Sequence, residues 1–378
     1  MFQIIIKIFS LVIISVLITP FIRKLAFVLG AVDNPNARRV NKKPMPTIGG
    51  LGIFVSFNIG EFVLLRSQFP THELFSILLA SSVVLLTGLI DDILELKPKQ
   101  KMLGIFIAAL IIYFLAGIRV NEISLPFMSP INLSWWSLPI TVFWILALTN
   151  AVNLIDGLDG LATGVSMISL STMGIVGFFF LHGWQNYVPL MCIMLATCLL
   201  GFLPYNFHPA KIFLGDTGAL YIGFMISILS LKGLKNVTFI SLLVPIIILG
   251  VPLTDTIFAM IRRKLNKKPI TVADKHHLHH QLMRMGLSHR QTVLAIYGIS
   301  LLFSFISLVF ISSPAWGIWP LMIGLLFALE LFVETIGLLG DKFKPLLHFI
   351  QNYINKMHRS DPQVGISHFS IKKDEHKD

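Results

Sequence analysis

Five aspartates stand where an otherwise apolar chain tolerates them least. Asp91 and Asp92 close the stretch GLIDD, Asp156 and Asp159 punctuate NLIDGLDG, and Asp216 sits in FLGDTG. An ionised carboxylate at the centre of a membrane helix costs roughly 3 kcal/mol on insertion scales, so such groups persist where they face a cavity or a cation. Carboxylates far apart in sequence but level in a membrane are the donors Mg²⁺ takes, an ion of oxygen ligands that commonly bridges to a phosphorylated substrate. A sixth acid, Asp255 in PLTD, precedes Arg262 by seven residues, about 10 Å along a helix. It reads equally well as a hydrogen-bonding group between helices or as a functional one.

The two Asp-Gly steps at Asp156 and Asp159 can hardly continue a regular membrane helix. A turn that stays helical puts both carboxylates on one face, and one that unwinds lets backbone approach a ligand through glycine. Asn150 and Asn153 add neutral donors just upstream. Helix capping is the plain alternative for any one of these four, and for the four together it is the weaker account. Asp91 and Asp92 divide evenly between site residues and interfacial anchors, and Gly215-Asp216-Thr217-Gly218 is also a good capped helix start.

Two polar stretches complete the set. DKHHLHHQLMRMG supplies His276, His277, His279 and His280 beside Lys275 and Arg284. On a helix His276, His279 and His280 share a face that could bind zinc, but no cysteine stands nearby and the Glu of a His-Glu-x-x-His motif is missing. Contacts to a phosphate or nucleotide fit these imidazoles better. Arg38, Arg39, Lys42 and Lys43 precede a tight entry shaped by Pro44, Pro46, Gly49 and Gly50, where basic groups could meet a diphosphate or anionic lipid. No Gly-x-x-x-x-Gly-Lys-Ser/Thr loop is present, so ATP-driven transport has no support.

These clusters must be carried by membrane helices. The 378 residues are 55% apolar and 13% charged, with a mean hydropathy of +0.79, which excludes an ordinary soluble enzyme and a disordered chain. Runs able to cross about 30 Å of hydrocarbon fall at 3–22, 48–66, 74–90, 102–118, 138–152, 161–181, 188–204, 217–232, 237–260, 292–312 and 316–337. The expectation is an all-α polytopic membrane protein of about eleven helices. The first run, with Lys7 and no small-residue cleavage site, reads as a retained helix. With the N-terminus outside, 25 of the 30 Lys and Arg fall in inner segments, so the positive-inside rule puts the C-terminus and every acid and histidine cluster at the cytoplasmic face. That distribution also explains the net charge of +11 without nucleic acid. The domain reading is a transmembrane unit over 1–337 and a cytoplasmic tail over 338–378. Residues 119–137 make the longest outer loop, read as a small hairpin, and Cys192 and Cys198 read as packing residues.

Six stretches in order, AVDNPNARRVNKKPMPTIGG, GLIDD, NAVNLIDGLDGLATG, FLGDTGAL, VPLTDT and DKHHLHHQLMRMGLSHRQT, resemble the polyprenyl-phosphate N-acetylhexosamine-1-phosphate transferases, the MraY/WecA/TagO family, over nearly the whole membrane region. The resemblance implies a bacterial plasma-membrane enzyme that moves a sugar 1-phosphate from a UDP-sugar to undecaprenyl phosphate, releasing UMP, with Mg²⁺ or Mn²⁺. It implies catalytic or metal-binding roles for Asp91, Asp92, Asp156, Asp159 and Asp216, with Asp216 the strongest metal ligand, helped by Asp156 or Asp159, and Asp92 in the metal shell. Asp91 is the group that orients or deprotonates the lipid phosphate. The histidine stretch looks like part of the nucleotide-sugar site, with Asn150, Asn153 and Lys42 as further substrate contacts. The form of that stretch, followed by HRQT, is similar to the WecA/TagO branch, which implies UDP-GlcNAc as donor and teichoic acid or a similar surface glycopolymer as pathway. An MraY-type enzyme using UDP-MurNAc-pentapeptide is the runner-up and a transporter the rival class. A covalent sugar-phosphoryl route carries less weight than direct transfer, and a homodimer is left open. Asn41 and Thr47 depart from the branch pattern, in the loop that also holds Lys42.

Overall fold

Apolar runs of membrane length can satisfy their backbone polar groups inside hydrocarbon only as helices or closed barrels, and here they are helices throughout. The computed structural model describes residues 2–33, 44–123, 131–180, 187–233, 239–265, 267, 277–314 and 316–337. Among the described residues thirteen α-helices follow in order: α1 Phe2–Leu29, α2 Gly49–Ile59, α3 Thr71–Leu94, α4 Pro98–Ile111, α5 Ser137–Ile155, α6 Leu161–Phe179, α7 Tyr187–Asn206, α8 Gly215–Gly233, α9 Phe239–Ile248, α10 Gly250–Leu265, α11 Leu278–Arg284, α12 His289–Ser312 and α13 Ile318–Ile336. Among the described residues, eight helical segments are long and apolar enough to cross a membrane. The chain is an all-α, multi-pass membrane protein.

Each apolar run of the sequence is helical, with one correction. The run at 237–260 is not one helix but two, α9 and α10, parted at Leu249. Pro252 lies in the first turn of α10, where a missing N–H is tolerated, whereas the same proline inside a continuous helix would lose a hydrogen bond and clash one turn back. α2 and α4 each end in a π-helical turn, Gly60–Leu64 and Ile112–Ala116. Two strand pairs are antiparallel: β1 Val32–Asp33 with β2 Met45–Pro46, and β3 Glu122–Ile123 with β4 Ile131–Asn132. The second pair falls within residues 119–137, where a small hairpin is expected.

Residues 1–321 form one compact unit and residues 322–378 another. Residues 338–378 lie outside those described. In the second unit the described chain is the remainder of α13. The first unit holds every site residue discussed below.

Within that unit α8 is the most enclosed helix. Ala219, Leu220, Tyr221, Ile222, Phe224, Met225, Ile226 and Ile228 show no exposed surface, as a helix apolar on all sides should. It packs against α2, α3 and α5. α1 differs, presenting Phe2, Phe9, Ile13, Leu17 and Phe21 outward, a stripe suited to lipid. Glycine makes the tight approaches around α8 achievable: a Cβ on Gly50 would overlap the backbone of Gly218, and one on Gly88 would lie 2.5 Å from the Asp216 carbonyl oxygen. These contacts bring the ends of α2, α3 and α8 together, and the acids sit at those ends.

Candidate active site

The start of α8 organises the site. Gly215 takes a left-handed φ of +71°, which turns the chain from the FLG segment into the helix. That segment is pinned to the entry of α2: Phe213 N–H donates to Pro46 O at 2.8 Å, while Gly49 and Gly50 N–H donate to Phe213 O and Leu214 O at 3.0 and 3.1 Å. Two of the first amides of α2, which lack partners inside their own helix, are satisfied by the approach to α8.

The first amides of α8 are satisfied by α3. Asp92 Oδ1 accepts from Asp216 N–H at 3.0 Å, and its Oδ2 accepts from Thr217 N–H at 3.0 Å and Thr217 Oγ1 at 2.6 Å. This is an N-cap supplied from another helix, with a negative group at the positive end of the macrodipole. Both oxygens of Asp92 are thus engaged in holding α8.

Its neighbour Asp91 faces a different set of groups. Asp91 Oδ1 accepts from Leu96 N–H at 2.8 Å, and Oδ2 pairs with Lys101 Nζ at 2.8 Å. The same ammonium contacts Asp216 Oδ2, and Asn153 Nδ2 donates to Asp216 Oδ1 at 2.6 Å. Lys101, one turn into α4, therefore joins the last turn of α3 to the first of α8. It went unmarked in the sequence because a lysine after PKQ looks like any interfacial positive charge. Its place directly after the α3–α4 turn was the available signal.

α5 ends at Ile155, and Asp156 follows with its backbone N–H on Asn153 O. Its carboxyl accepts no hydrogen bond among the described residues. Burial, and then the carboxylates of Asp216, Asp92 and Asp159, push it well above the ordinary carboxylate range. Asp159 is anchored instead: its Oδ2 lies 2.8 Å from His208 Nδ1 and accepts from Ala210 N–H at 3.1 Å. Asp91, Asp92, Lys101, Asp156, Asp159 and Asp216 all line one open cavity of about 1090 Å³, with Thr47 on its wall.

The histidines reach this region through glycine. His279 packs so closely on Gly157 that a Cβ there would lie 2.6 Å from its ring. Burial, then the neighbouring His280, lowers the His279 pKa to about 4, so the ring is neutral near neutrality. Asp255 sets this segment in place, with Oδ2 at 2.9 Å from His277 Nδ1 and Oδ1 accepting Leu278 N–H at 2.8 Å. The acid left open between two readings thus caps α11 and orients one of the histidines. His277 and His279 stack in parallel at 6.0 Å, and His280 lies 4.2 Å from His279.

Asn150 is not drawn into the cavity. Its Nδ2 donates to Leu146 O at 2.7 Å and contacts Met102 Sδ at 3.2 Å, between α4 and α5. Lys42 and His276 lie outside the described residues. Besides Lys101, the sequence reading passed over His208, His289 and Tyr297. Tyr297 Oη donates to Gly160 O at 2.5 Å, and Arg290 Nε to His208 O at 3.1 Å, so the start of α12 braces two of the acid-bearing turns. Isolated histidines and a tyrosine in a helical run carry no sequence signal of such pairing.

Residues 74–234 match the model of glycosyl transferase family 4. The chain is 43% identical over 342 residues to a protein of Bacillus subtilis described as a probable undecaprenyl-phosphate N-acetylglucosaminyl 1-phosphate transferase, covering 90% of this chain and 94% of that one. It is 34% identical over 316 residues to a decaprenyl-phosphate N-acetylglucosaminephosphotransferase of Mycolicibacterium smegmatis, covering 75% and 76%. A phospho-N-acetylmuramoyl-pentapeptide-transferase of Clostridium botulinum is 34% identical over 304 residues, covering 77% and 90%.

Proposed function

The chain belongs to glycosyl transferase family 4, and from that premise we propose that it transfers N-acetylglucosamine 1-phosphate from UDP-N-acetylglucosamine to undecaprenyl phosphate. The observation that carries this reading is the meeting of Asp91, Asp156, Asp216 and Lys101 on one cavity at the ends of α3, α4, α5 and α8. Such a cavity suits two phosphorylated substrates, one of them held in the membrane. The relative from Bacillus subtilis, matched at higher identity and over more of the chain than the muramoyl-pentapeptide enzyme, supports the N-acetylglucosamine donor. The excess of Lys and Arg in the proposed inner segments supports a cavity open to the cytoplasm.

In the reaction a phosphate oxygen of the lipid forms a bond to the β-phosphorus of the donor. The bond from that phosphorus to the bridging oxygen breaks, and UMP leaves with the oxygen. The lipid phosphate, with a second pKa near ~6, is largely dianionic at neutrality and needs positioning more than deprotonation. Asp91 with Lys101 orients it, and the Lys101 ammonium offsets part of the charge that accumulates beside Asp216. His279, neutral and pressed on Gly157, gives the nucleotide-sugar end a ring that can donate or accept without adding charge.

The donor set fits a hard divalent cation. Asp156 has no hydrogen-bond partner for its carboxyl among the described residues though surrounded by other carboxylates, and Asp91 and Asp216 already converge on one positive group. Asp216 and Asp156 are the residues that would hold Mg²⁺, with Asp92 fixing Asp216 from behind rather than reaching the ion itself. When bound, the cation supplies charge neutralisation on the diphosphate and on the departing UMP.

Purified protein in detergent, given UDP-N-acetylglucosamine, undecaprenyl phosphate and Mg²⁺, should release UMP. A folded preparation that releases none would contradict the proposal and favour the transporter class. Competition with UDP-MurNAc-pentapeptide settles the donor: the proposal expects that compound to be neither consumed nor inhibitory.

A further inference from the structure

Away from the Lys101 contacts, a second group of metal-ligating side chains lies at the rim of the same unit. Asp159 comes from the turn between α5 and α6, His208 from the segment between α7 and α8, and His289 from the first residue of α12. One ligand atom from each lies within 4.8 Å of the others. The two imidazoles stack with centroids 4.1 Å apart and planes 22° from parallel, and Nε2 of His289 is buried without a hydrogen-bond partner among the described residues. We propose that Asp159, His208 and His289 form a second metal site, distinct from the Mg²⁺ site and selective for a borderline divalent ion of the zinc class.

Donor chemistry separates the two sites. Mg²⁺ prefers oxygen ligands, whereas two imidazoles and one carboxylate suit Zn²⁺ or its neighbours in the first transition row. Ligand atoms about a tetrahedral zinc, each roughly 2.0–2.1 Å from the ion, sit about 3.3 Å apart. The Asp159–His208 pair, hydrogen-bonded at 2.8 Å, needs only to open slightly to admit the ion, and side-chain rotation of His289 closes the remainder. Side-chain exposures of 38% for His208 and 18% for Asp159 leave a route for the ion and room for a water as fourth ligand. The frame is braced independently of any metal by Arg290 on the His208 carbonyl and by Tyr297 on the Gly160 carbonyl. A cation here would tie α12 to the two turns that carry Asp156 and Asp216, fixing the rim without entering the reaction. The inference stands on these side chains alone and does not need the proposed transfer reaction to be correct.

Metal binding to the full chain in detergent tests it, with excess Mg²⁺ present to occupy the oxygen-donor site. Co²⁺ alone is the optical probe and Zn²⁺ alone the calorimetric one. The wild type should bind one equivalent of either ion and melt at higher temperature with Zn²⁺, as binding to the folded state requires. His208→Ala and His289→Ala should each weaken binding by about 100-fold or more, at or beyond the upper end of what losing a mere supporting partner costs, and should abolish the Zn²⁺-dependent shift. Absence of saturable Co²⁺ or Zn²⁺ binding in wild type would overturn the proposal and leave a hydrogen-bonded clasp. Unchanged binding in both variants would overturn it equally, assigning the ion to the His277–His280 segment. If the variants do not fold, X-ray absorption of the Zn²⁺-loaded wild type decides: two imidazole nitrogens with oxygen support the site, and a shell without two imidazoles rejects it.

Discussion

The end of α3 and the turn between α5 and α6 each present two aspartates to the same cavity, and in each pair the members do opposite things. Asp92 gives both oxygens to the first amides of α8, and Asp159 is held by His208 and the Ala210 amide. Asp91 reaches across to Lys101, and the Asp156 carboxyl is left with neighbouring charge but no hydrogen bond among the described residues. One acid of each pair is tied to the protein's own frame, while the other faces neighbouring charged groups. Where a carboxylate points is decided by which helix end lies opposite it, and only the packed structure supplies that.

The largest effect should separate the pairs through turnover. Asp156→Asn and Asp91→Asn should each lower UMP release by about 10²–10³-fold, the scale of removing one group that stabilises transition-state charge, with little change in melting temperature. Asp92→Ala should instead be read first in stability, at about 1–3 kcal/mol for a lost cap and stranded buried donors, measured by denaturant unfolding. Near-normal stability with abolished turnover in Asp92→Ala would erase the distinction.

A comparable stability term tracks pH through His279. Unfolded, this histidine takes a proton near ~6.5, but folded it does so only at about 4. Between those values the unfolded state binds more protons, so stability falls as pH is lowered through that window. The loss amounts to about 3 kcal/mol at most, at 1.36 kcal/mol per pKa unit. His279→Gln should flatten the acid limb of the unfolding curve, and an unchanged slope would mean the ring is not held neutral by burial. Gly157→Ala, forcing a methyl to 2.6 Å from that ring, should cost about 1–3 kcal/mol by overpacking and raise the KM for the UDP-sugar more than it lowers kcat. The smallest effect belongs to Asn153→Ala, which removes one hydrogen bond to Asp216 and should cost about 1–2 kcal/mol, seen as a higher Mg²⁺ requirement.

Much of this was legible before any coordinates. Acids in an apolar chain are costly enough to mark themselves, so the carboxylates that line the cavity could be read from residue type; four histidines within five residues mark themselves too, but none of the described ones lines it. Helical runs followed from hydropathy, although the run at 237–260, read as continuous, is split into α9 and α10. The pairings were not legible. Lys101, Asp92 and Asp216 are joined across more than a hundred residues, and nothing local distinguishes an aspartate that caps a distant helix from one that faces a ligand. Nor does the position of Asn150 near Asn153 reveal that its amide turns back to Leu146.

Direct cation binding tests the division of labour most closely. Mn²⁺ titrated into purified protein and followed by electron paramagnetic resonance should bind the wild type. Asp216→Asn should lose that binding, while Asp92→Asn, still folded, should keep it within a few-fold. Retention of tight Mn²⁺ binding in Asp216→Asn, or its loss in a folded Asp92→Asn, would contradict the assignment of Asp216 to the ion and Asp92 to the helix behind it.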